Sequence, residues 1–308
     1  MFDLNDLAAF AAVAEHGGYA AAERALGTPR SRLSRRVAAL ERQLGVRLIH
    51  RTSRRFALTE TGRAVLRHAQ AMLAEAQAAH AVAAPQRGQP RGTVRLSCPP
   101  ALLHHAVDAM LARLLNAWPE LTLHVEATNR NVDVWQDGVD LALRVRTAGA
   151  PLPAEEVVRT LAVSPHVLVA APALLASTAP PARPADLQRL PSLGLGNSRE
   201  ESAWTLHGPG DAVERVPHRP RLIVDDMDAL LRAALAGVGV AAVPLLAAHE
   251  PLLAGALQRV LPDWAPPPGH IQAALPSRHA LRPAVRLTLD SLARDFADLA
   301  AQGKCLRA

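Results

Sequence analysis

The feature that most constrains the fold is a change of hydrophobic periodicity part-way along the chain. Before residue 85, apolar residues recur every three or four positions, which is the spacing of amphipathic helices. After residue 92, short apolar runs suited to strands alternate with helical segments, a pattern typical of α/β architecture. The stretch PQRGQPRG at 85–92 contains two prolines and two glycines, and we predict that it is a hinge. The chain should therefore contain two differently built parts.

Three helices are predicted in the first 45 residues, followed by two short strands. The first two helices cover about residues 4–16 and 20–26, and glycines end both. The third runs from about Arg30 to Leu44, with Gly45 in the usual C-cap position. Leu48-Ile49 and Ala57-Leu58 then frame a basic turn. This order predicts a winged helix-turn-helix domain over residues 1–59.

Nearly all of the excess positive charge lies in this first part. Residues 1–92 carry a net charge of +7, whereas the remaining 216 residues carry −1. Between Arg24 and Arg55 there are ten arginines and one acid, Glu41. A basic block of this kind indicates a polyanionic partner, and nucleic acid before a membrane surface. A solvated charged face is the alternative interpretation of the charge alone.

The third helix has the composition of a DNA-recognition helix. Its apolar stripe faces inward, and its opposite face presents small residues and arginines, which can enter a major groove and reach base edges and phosphates. The arginines of the basic turn are placed to contact phosphates or a minor groove. Any single arginine could equally serve a surface salt bridge.

About 60 residues of this region resemble the DNA-binding domain of LysR-type transcriptional regulators. The resemblance implies that Arg30, Ser31, Ser34 and Arg35 contact DNA, and that Arg51, Thr52 and Arg54 contact the DNA backbone from the wing. We add Arg32, which flanks the outer face of the same helix. The motifs that carry the resemblance are Asp6-Leu7, AAERAL at 21–26, RSRLSRRV at 30–37, LGVRL at 44–48 and LTETG at 58–62.

Residues 60–84 are predicted to form one long helix. Its apolar positions alternate steps of four and three, as in a coiled-coil seam made largely of alanine. In the resembled family this helix dimerises two DNA-binding domains, so we expect a homodimer, with further assembly to a homotetramer. Packing of the helix on its own domain is the alternative. The seam positions are Val65, Ala69, Met72, Ala76, Ala79 and Ala83.

Residues 93–303 resemble the LysR-type effector-binding domain, most clearly in LIVDDMDALLRAALAGVGVAAVP at 222–244. The alternation of strands and helices predicts mostly parallel sheets with helices on both faces. The resemblance implies a periplasmic-binding-protein-like domain of two lobes with a ligand cleft between them. Lobe I would cover about 93–163 plus 267–303, and lobe II about 164–266.

Ligands of such sheets bind at the carboxyl ends of strands and the N-termini of the helices that follow. A small-molecule effector, and an organic or aromatic acid in particular, is the expected ligand. Ser97 and Thr128 could serve turns or caps instead, Arg144 and Arg146 could pair with Asp133, Asp137 or Asp140, and Asp225-Asp226 could cap a helix. The candidate positions are Ser97, Cys98, Pro99, Thr128, Arg144, Leu195, Gly196 and Asp225.

Enzymatic and metal-binding classes receive little support. GxSxG, GxGxxG, Walker A and HExxH motifs are missing. His104 and His105 are adjacent on a predicted helix and should point in different directions. The two cysteines are far apart, and Cys98 is more simply a small buried thiol than a redox sensor. We expect no catalytic residues, metal or cofactor.

The sequence also favours a cytoplasmic protein without a membrane association. It has no apolar run long enough for a membrane span, and its first residues are acidic and polar. The function expected is that of a transcriptional regulator that binds a dyad promoter site and responds to an effector. Two alternatives stay open: a constitutive repressor or architectural protein without an effector, and a solute-binding or enzymatic α/β protein with an incidental basic N-terminus.

Overall fold

The protein is represented by a computed structural model that describes residues 3–50, 56–83, 90–147, 156–176, 178–196, 202–276 and 281–308. Two compact units are distinguished, one built mainly from residues 1–88 and the other mainly from the rest of the chain. The predicted hinge at 85–92 falls largely outside the described residues. Among the described helices, none has the length and apolar composition needed to cross a bilayer.

The first unit is a helical domain with a small wing base. It contains α1 (Leu4–Glu15), α2 (Tyr19–Leu26), α3 (Arg30–Leu44) and α4 (Glu60–Ala83). Ile49 and Leu58 form an antiparallel bridge at the base of the wing. The core gathers the inward faces of these elements, because each helix presents one apolar stripe. Its fully buried members include Phe10, Val13, Val37, Leu40 and Leu48.

Lobe I of the second unit is built on a six-stranded sheet of order β13-β4-β12-β3-β1-β2. Its strands are β1 (Gly92–Cys98), β2 (Leu121–Ala127), β3 (Leu141–Thr147), β4 (Val157–Ser164), β12 (Gly269–Leu275) and β13 (Leu306–Arg307). Between β1 and β2 lie α5 (Pro100–Leu102), a π-helical turn (Leu103–Val107) and α6 (Asp108–Ala117). The helix α10 (Pro283–Ala301) buries Phe296 completely.

Lobe II contains three small sheets, β10-β5-β11, β6-β9 and β7-β8. The strands are β5 (His166–Ala170), β6 (Ser192–Leu195), β7 (Ser202–His207), β8 (Val213–His218), β9 (Pro220–Val224), β10 (Ala241–Pro244) and β11 (Gln258–Arg259). Its α-helices are α7 (Pro172–Ala176), α8 (Met227–Leu235) and α9 (Leu245–Leu253), and 3₁₀ turns cover Pro184–Arg189 and Pro209–Asp211.

The strand directions correct the expectation of mostly parallel sheets. Strands β1, β2 and β3 are parallel, but β12 runs antiparallel to both β3 and β4. The β7-β8 pair is an antiparallel hairpin that we did not predict, and β10-β5-β11 is antiparallel as well. An alternating pattern of strands and helices therefore gave the α/β class correctly but not the direction of each pairing. Direction depends on where the chain crosses between lobes.

Candidate functional site

The outer face of α3 is the candidate DNA-binding surface. Its inner residues Leu33, Val37 and Leu40 are buried, so the helix cannot turn its polar face inward without losing its packing. All five positions predicted on this helix are exposed. They are Arg30, Ser31, Arg32, Ser34 and Arg35.

Two side chains fix where α3 begins and how it is oriented. Pro29 occupies the N-cap and supplies no side-chain cap, but the backbone N–H of Arg30 donates to Glu23 of α2 over 2.9 Å. Arg36 donates to Asp6 of α1 over 2.9 Å and lies 3.5 Å from Asp3. Arg36 is therefore engaged in holding α3 against α1, unlike the five exposed positions. The hydrogen bonds from Asn5 hold the pKa of Asp3 below its usual value.

The base of the wing is held by Glu41, a residue the sequence identified only as the single acid in a basic block. Its buried carboxylate accepts hydrogen bonds from the backbone N–H groups of Leu48 (2.8 Å) and Ile49 (3.2 Å) and from the guanidinium of Arg47 (2.7 Å). A charged acceptor of several donors is a strong local constraint. The predicted wing contacts Arg51, Thr52 and Arg54 lie outside the described residues.

The start of α4 is tied to the same wing base. Thr59 donates its hydroxyl to the carbonyl of Arg47 and accepts from the N–H of Gly62 over 2.8 Å. A Cβ on Gly62 would lie 2.0 Å from the carbonyl oxygen of Leu48, so only glycine fits this close approach. The motif LTETG thus links the wing to the long helix.

The seam predicted on α4 has two different environments. Ala69 is fully buried in the core of its own domain, and Val65 and Met72 pack against that core. Ala76 is exposed. The alternative of packing on the same domain therefore holds for the first half of the seam, because a four-three repeat serves both kinds of packing equally well. The side chains of Ala79 and Ala83 are not among those described.

A cleft of about 560 Å³ lies between the two lobes, and we call it the interlobe cleft. Most of the positions predicted for the effector contribute to its lining. Cys98 does not line the cleft, because successive residues of a strand point to opposite faces and Ser97 faces the cleft. Burial raises the pKa of the Cys98 thiol to about 12. The predicted positions that line the cleft are Ser97, Pro99, Thr128, Arg144, Leu195, Gly196 and Asp225.

Arg144 lines the cleft, but its charge is already matched by the protein. Its guanidinium forms a two-pronged pair with Glu156, with one N–O distance of 2.8 Å, and it also donates to the carbonyl of Val132. The side chains of Arg144 and Glu156 are 9% and 5% exposed. The partner is Glu156 rather than one of the three aspartates proposed from the sequence, and Asp140 instead accepts from the N–H of Arg95.

Other lining residues extend the chemistry of the cleft. Lobe I also contributes two arginines, Arg146 and Arg130, of which Arg130 pairs with Glu126 over 3.4 Å, and the amides of Asn129 and Asn131. The lining residues from lobe II are mainly apolar. The sequence analysis did not name these two asparagines, although they follow Thr128 in the loop after β2 and could have been predicted from that position. Arg146 lies two residues after Arg144, on the same face of β3. Further lining residues are Leu102, His105, His166, Met227, Leu246 and Ala247.

The pair Asp225-Asp226 divides two roles between its members. Asp226 caps α8 by accepting from the N–H of Ala229, as proposed for the pair, and Asp225 lines the cleft. The backbone carbonyl of Asp225 accepts from the side-chain amide of Asn129 over 3.1 Å, which connects the two lobes.

His104 and His105 overturn the expectation that adjacent histidines point apart. His104 Nδ1 and His105 Nε2 each lie 2.7 Å from a different carboxylate oxygen of Asp228. The π-helical turn and the use of opposite ring nitrogens explain why both reach one group. Among the described residues, no set of three His, Cys, Asp or Glu side chains is arranged to hold a metal ion.

Comparison with known proteins gives matches at both the family and the whole-chain level. Residues 4–63 match the family model described as bacterial regulatory helix-turn-helix protein, lysR family, and residues 87–297 match the LysR substrate binding domain. The transcriptional regulator PtxR of Pseudomonas aeruginosa is 32% identical over 290 residues, which are 94% of this chain and 92% of that protein.

Solved structures of similar length have the same architecture. CrgA from Neisseria meningitidis, a LysR-type transcriptional regulator, is 25% identical with a TM-score of 0.61, covering 96% of this chain and 99% of its own. A full-length OxyR variant from Pseudomonas aeruginosa has a TM-score of 0.70 at 17% identity, covering 96% and 98%. The second likeness concerns the fold alone.

Proposed function

The chain belongs to the LysR family of bacterial transcriptional regulators, and on that premise we propose that it reads a dyad promoter site with α3 and responds to a small organic acid in the interlobe cleft. LysR-type regulators are not enzymes. They combine a DNA-binding helix-turn-helix domain with an effector-binding domain, and they are oligomeric. The contact residues, the class of effector and the oligomer are our proposals.

The observation that carries the DNA proposal is the exposed face of α3. Arg30, Arg32 and Arg35 stand free of the packing that occupies Arg36, and Ser31 and Ser34 are small enough to allow close approach to base edges. We assign base contacts to Ser31, Ser34 and Arg35. Phosphate contacts would come from Arg30, Arg32 and the wing residues Arg51, Thr52 and Arg54.

The composition of the interlobe cleft supports an anionic effector. Among the described lining residues, three are arginines and one, Asp225, is an acid; Arg144 pairs with Glu156 and Arg130 with Glu126, both of which lie outside the lining. The hydroxyls of Ser97 and Thr128 can donate hydrogen bonds, and the apolar side chains of lobe II can cover a hydrocarbon or aromatic body. Arg146 lines the cleft and lies 3.4 Å from the amide oxygen of Asn131, and we assign the carboxylate of the effector to the neighbourhood of this pair.

Two-fold-related binding requires at least a dimer, because two recognition helices must enter successive major grooves. We propose that the second half of α4, from Ala76 onward, supplies the dimer contact, and that two dimers assemble into a tetramer. Such a regulator would work in the cytoplasm, where a bacterial chromosome lies.

Capture of genomic fragments on the purified protein, with the salt concentration titrated, tests the DNA proposal. We expect a few sites that share a dyad motif and survive moderate salt. Arg35→Ala should lose this selectivity but stay oligomeric, whereas Arg259→Ala, an exposed arginine of lobe II, should behave as the parent protein. Binding to all fragments that fades steeply with salt would contradict site recognition and favour an architectural protein.

Thermal melting with a panel of organic acids tests the effector proposal. A true effector should raise the melting temperature, since a ligand that binds only the folded state stabilises it. Arg146→Gln should weaken this response more for carboxylates than for their amides. If no acid in the panel raises the melting temperature or alters DNA binding, the alternative of a constitutive regulator without an effector takes precedence.

A further inference from the structure

Asp228 of lobe II is held by two histidines of lobe I, and we call these three residues the histidine–aspartate bridge. Each histidine ring lies 2.7 Å from one oxygen of the carboxylate. The side chain of Asp228 is 15% exposed, and those of His105 and His104 are 25% and 57% exposed. The bridge therefore stands at the surface end of the contact between lobes, with its carboxylate on the inner side.

We propose that Asp228 is a positioning residue that sets how far the interlobe cleft opens, and that its hold tightens when the medium becomes more acidic. The proposal concerns the same cleft as the proposed function and rests on it for its biological meaning. It makes the response of the regulator depend on pH as well as on the effector.

The place of the bridge supports this role. His105 lines the interlobe cleft, and Asp228 follows Met227, which lines it from the other lobe. Two other contacts connect the lobes nearby: the hydrogen bond from Asn129 to the carbonyl of Asp225 and the ion pair of Lys304 with Glu250, each spanning 3.1 Å. Separation of the lobes at this end of the cleft would therefore break the contacts of Asp228 with His104 and His105.

The chemistry of the three groups gives the sign of the pH dependence. A neutral imidazole donates one hydrogen bond, whereas an imidazolium adds a full positive charge facing the carboxylate. Histidine changes charge between about pH 5 and pH 8. The bridge should therefore strengthen as pH falls through this range and weaken as pH rises through it.

The carboxylate stays charged over that window. Burial alone would raise the pKa of Asp228, but the hydrogen bonds from His104 and His105 outweigh burial and hold the pKa below its ordinary value. A carboxylate with a lowered pKa loses its contribution only when pH falls through that lowered value. The bridge should therefore lose the charge of Asp228 only under strongly acidic conditions.

Two further histidines lie on elements that pack around the bridge, His249 on α9 and His166 on β5, and burial lowers the pKa of His166. His249 lies on α9, which packs against the π-helical turn. Arg232 lies 3.9 Å from Asp226, and Lys304 pairs with Glu250 over 3.1 Å. The charged and titratable groups on the described elements around the bridge are Asp108, Arg113, His166, Arg221, Asp225, Asp226, Arg232, His249 and Glu250.

The distance between the lobes is the direct readout, and it needs neither DNA nor effector. Spin labels would be placed at exposed positions on each lobe through Gln302→Cys and Arg259→Cys, with labelled chains diluted by unlabelled ones. At about pH 6 we expect mainly the shorter distance between the two labels, and at about pH 8 we expect a larger population with the longer distance. The ratio of the two should change by about two- to fivefold, the range of a partly exposed ion pair.

Two variants separate the effect of the bridge from that of the neighbouring histidine. Asp228→Asn keeps the size of the side chain but removes the charge, so it should show the longer distance at both pH values and lose the pH response. His249→Gln should respond as the parent protein does. A pH response that persists in Asp228→Asn, or that disappears in His249→Gln, would overturn the proposal, as would an unresponsive parent protein.

The outcome is separable from that of the proposed function. If the distances respond to pH as expected but no organic acid binds, the bridge stands and the effector proposal fails. If an acid binds and stabilises the protein while the distances ignore pH, the cleft stands and the role of Asp228 is refuted.

Discussion

Removing Glu156 should be among the most damaging single changes in the effector-binding part of the chain. Glu156→Ala leaves the guanidinium of Arg144 without its carboxylate partner in a site where both side chains are less than one-tenth exposed. Arg144 lies on β3, between β12 and β1 in the interior of the lobe I sheet, and its side chain is 9% exposed where it lines the interlobe cleft.

The expected loss follows from the cost of an unpaired buried charge. Removing one partner of a buried ion pair costs about 3–5 kcal/mol, whereas replacing both by apolar groups is often neutral. For a domain of this size, 1 kcal/mol corresponds to about 2–4 °C in melting temperature. Glu156→Ala should therefore lower the melting temperature by about 6–20 °C. The double variant Arg144→Met, Glu156→Leu should regain most of the loss.

Thermal and chemical unfolding of the full chain would measure both variants. Formate or acetate at high concentration should partly restore Glu156→Ala, because either anion fits the space that the carboxylate leaves. Asp290→Ala is the matched control: its pair with Arg159 spans 3.2 Å, but the two side chains are 57% and 48% exposed, so about 0–1 kcal/mol is expected. A loss from Glu156→Ala no larger than that of the control would refute the reasoning.

Three further predictions concern other parts of the chain. Ala76→Glu should weaken self-association in light scattering without lowering the stability of the DNA-binding domain, and an unchanged oligomer would place the dimer contact elsewhere. Gly62→Ala should cost about 1–3 kcal/mol in unfolding experiments because its Cβ meets the backbone of Leu48, whereas the exposed neighbour Thr61→Ala should cost little. Cys98 should resist alkylation in the native protein at about pH 8, because the thiol is buried and its raised pKa keeps it protonated. Mass spectrometry after alkylation of the native protein would measure this, and rapid labelling of Cys98 would contradict it.

The helical part of the fold was predictable because its signals are local. The bounds of α3 agree with those expected from apolar periodicity and Gly45, and α4 is described over Glu60–Ala83, within the expected range of 60–84. Family resemblance supplied the two-lobed domain, which the structure confirms. The β7-β8 hairpin was missed because its strands carry few consecutive apolar residues.

The candidate sites were predictable in outline but not in their pairings. The residues at the ends of the predicted strands were correctly expected to line the interlobe cleft in most cases, because the carboxyl ends of parallel strands meet at one edge of a sheet. The partner of Arg144 and the two partners of Asp228 were not foreseen. The last lie more than 120 residues from Asp228, and no periodic signal connects positions so distant. The two packing environments of the seam on α4 were not foreseen either, because a four-three repeat fits both packing on the same domain and packing on a partner helix.

The π-helical turn between α5 and α6 has a consequence for how such regulators diverge. A π-helical turn holds one residue more than the same turn of an α-helix. Here the extra residue allows the neighbouring rings of His104 and His105 to contact the same carboxylate. Loss of a single residue from Leu103–Val107 would rotate one histidine away while leaving both in the sequence. The pH dependence proposed for the histidine–aspartate bridge would then be lost, and a comparison of residue identities alone would overlook the change.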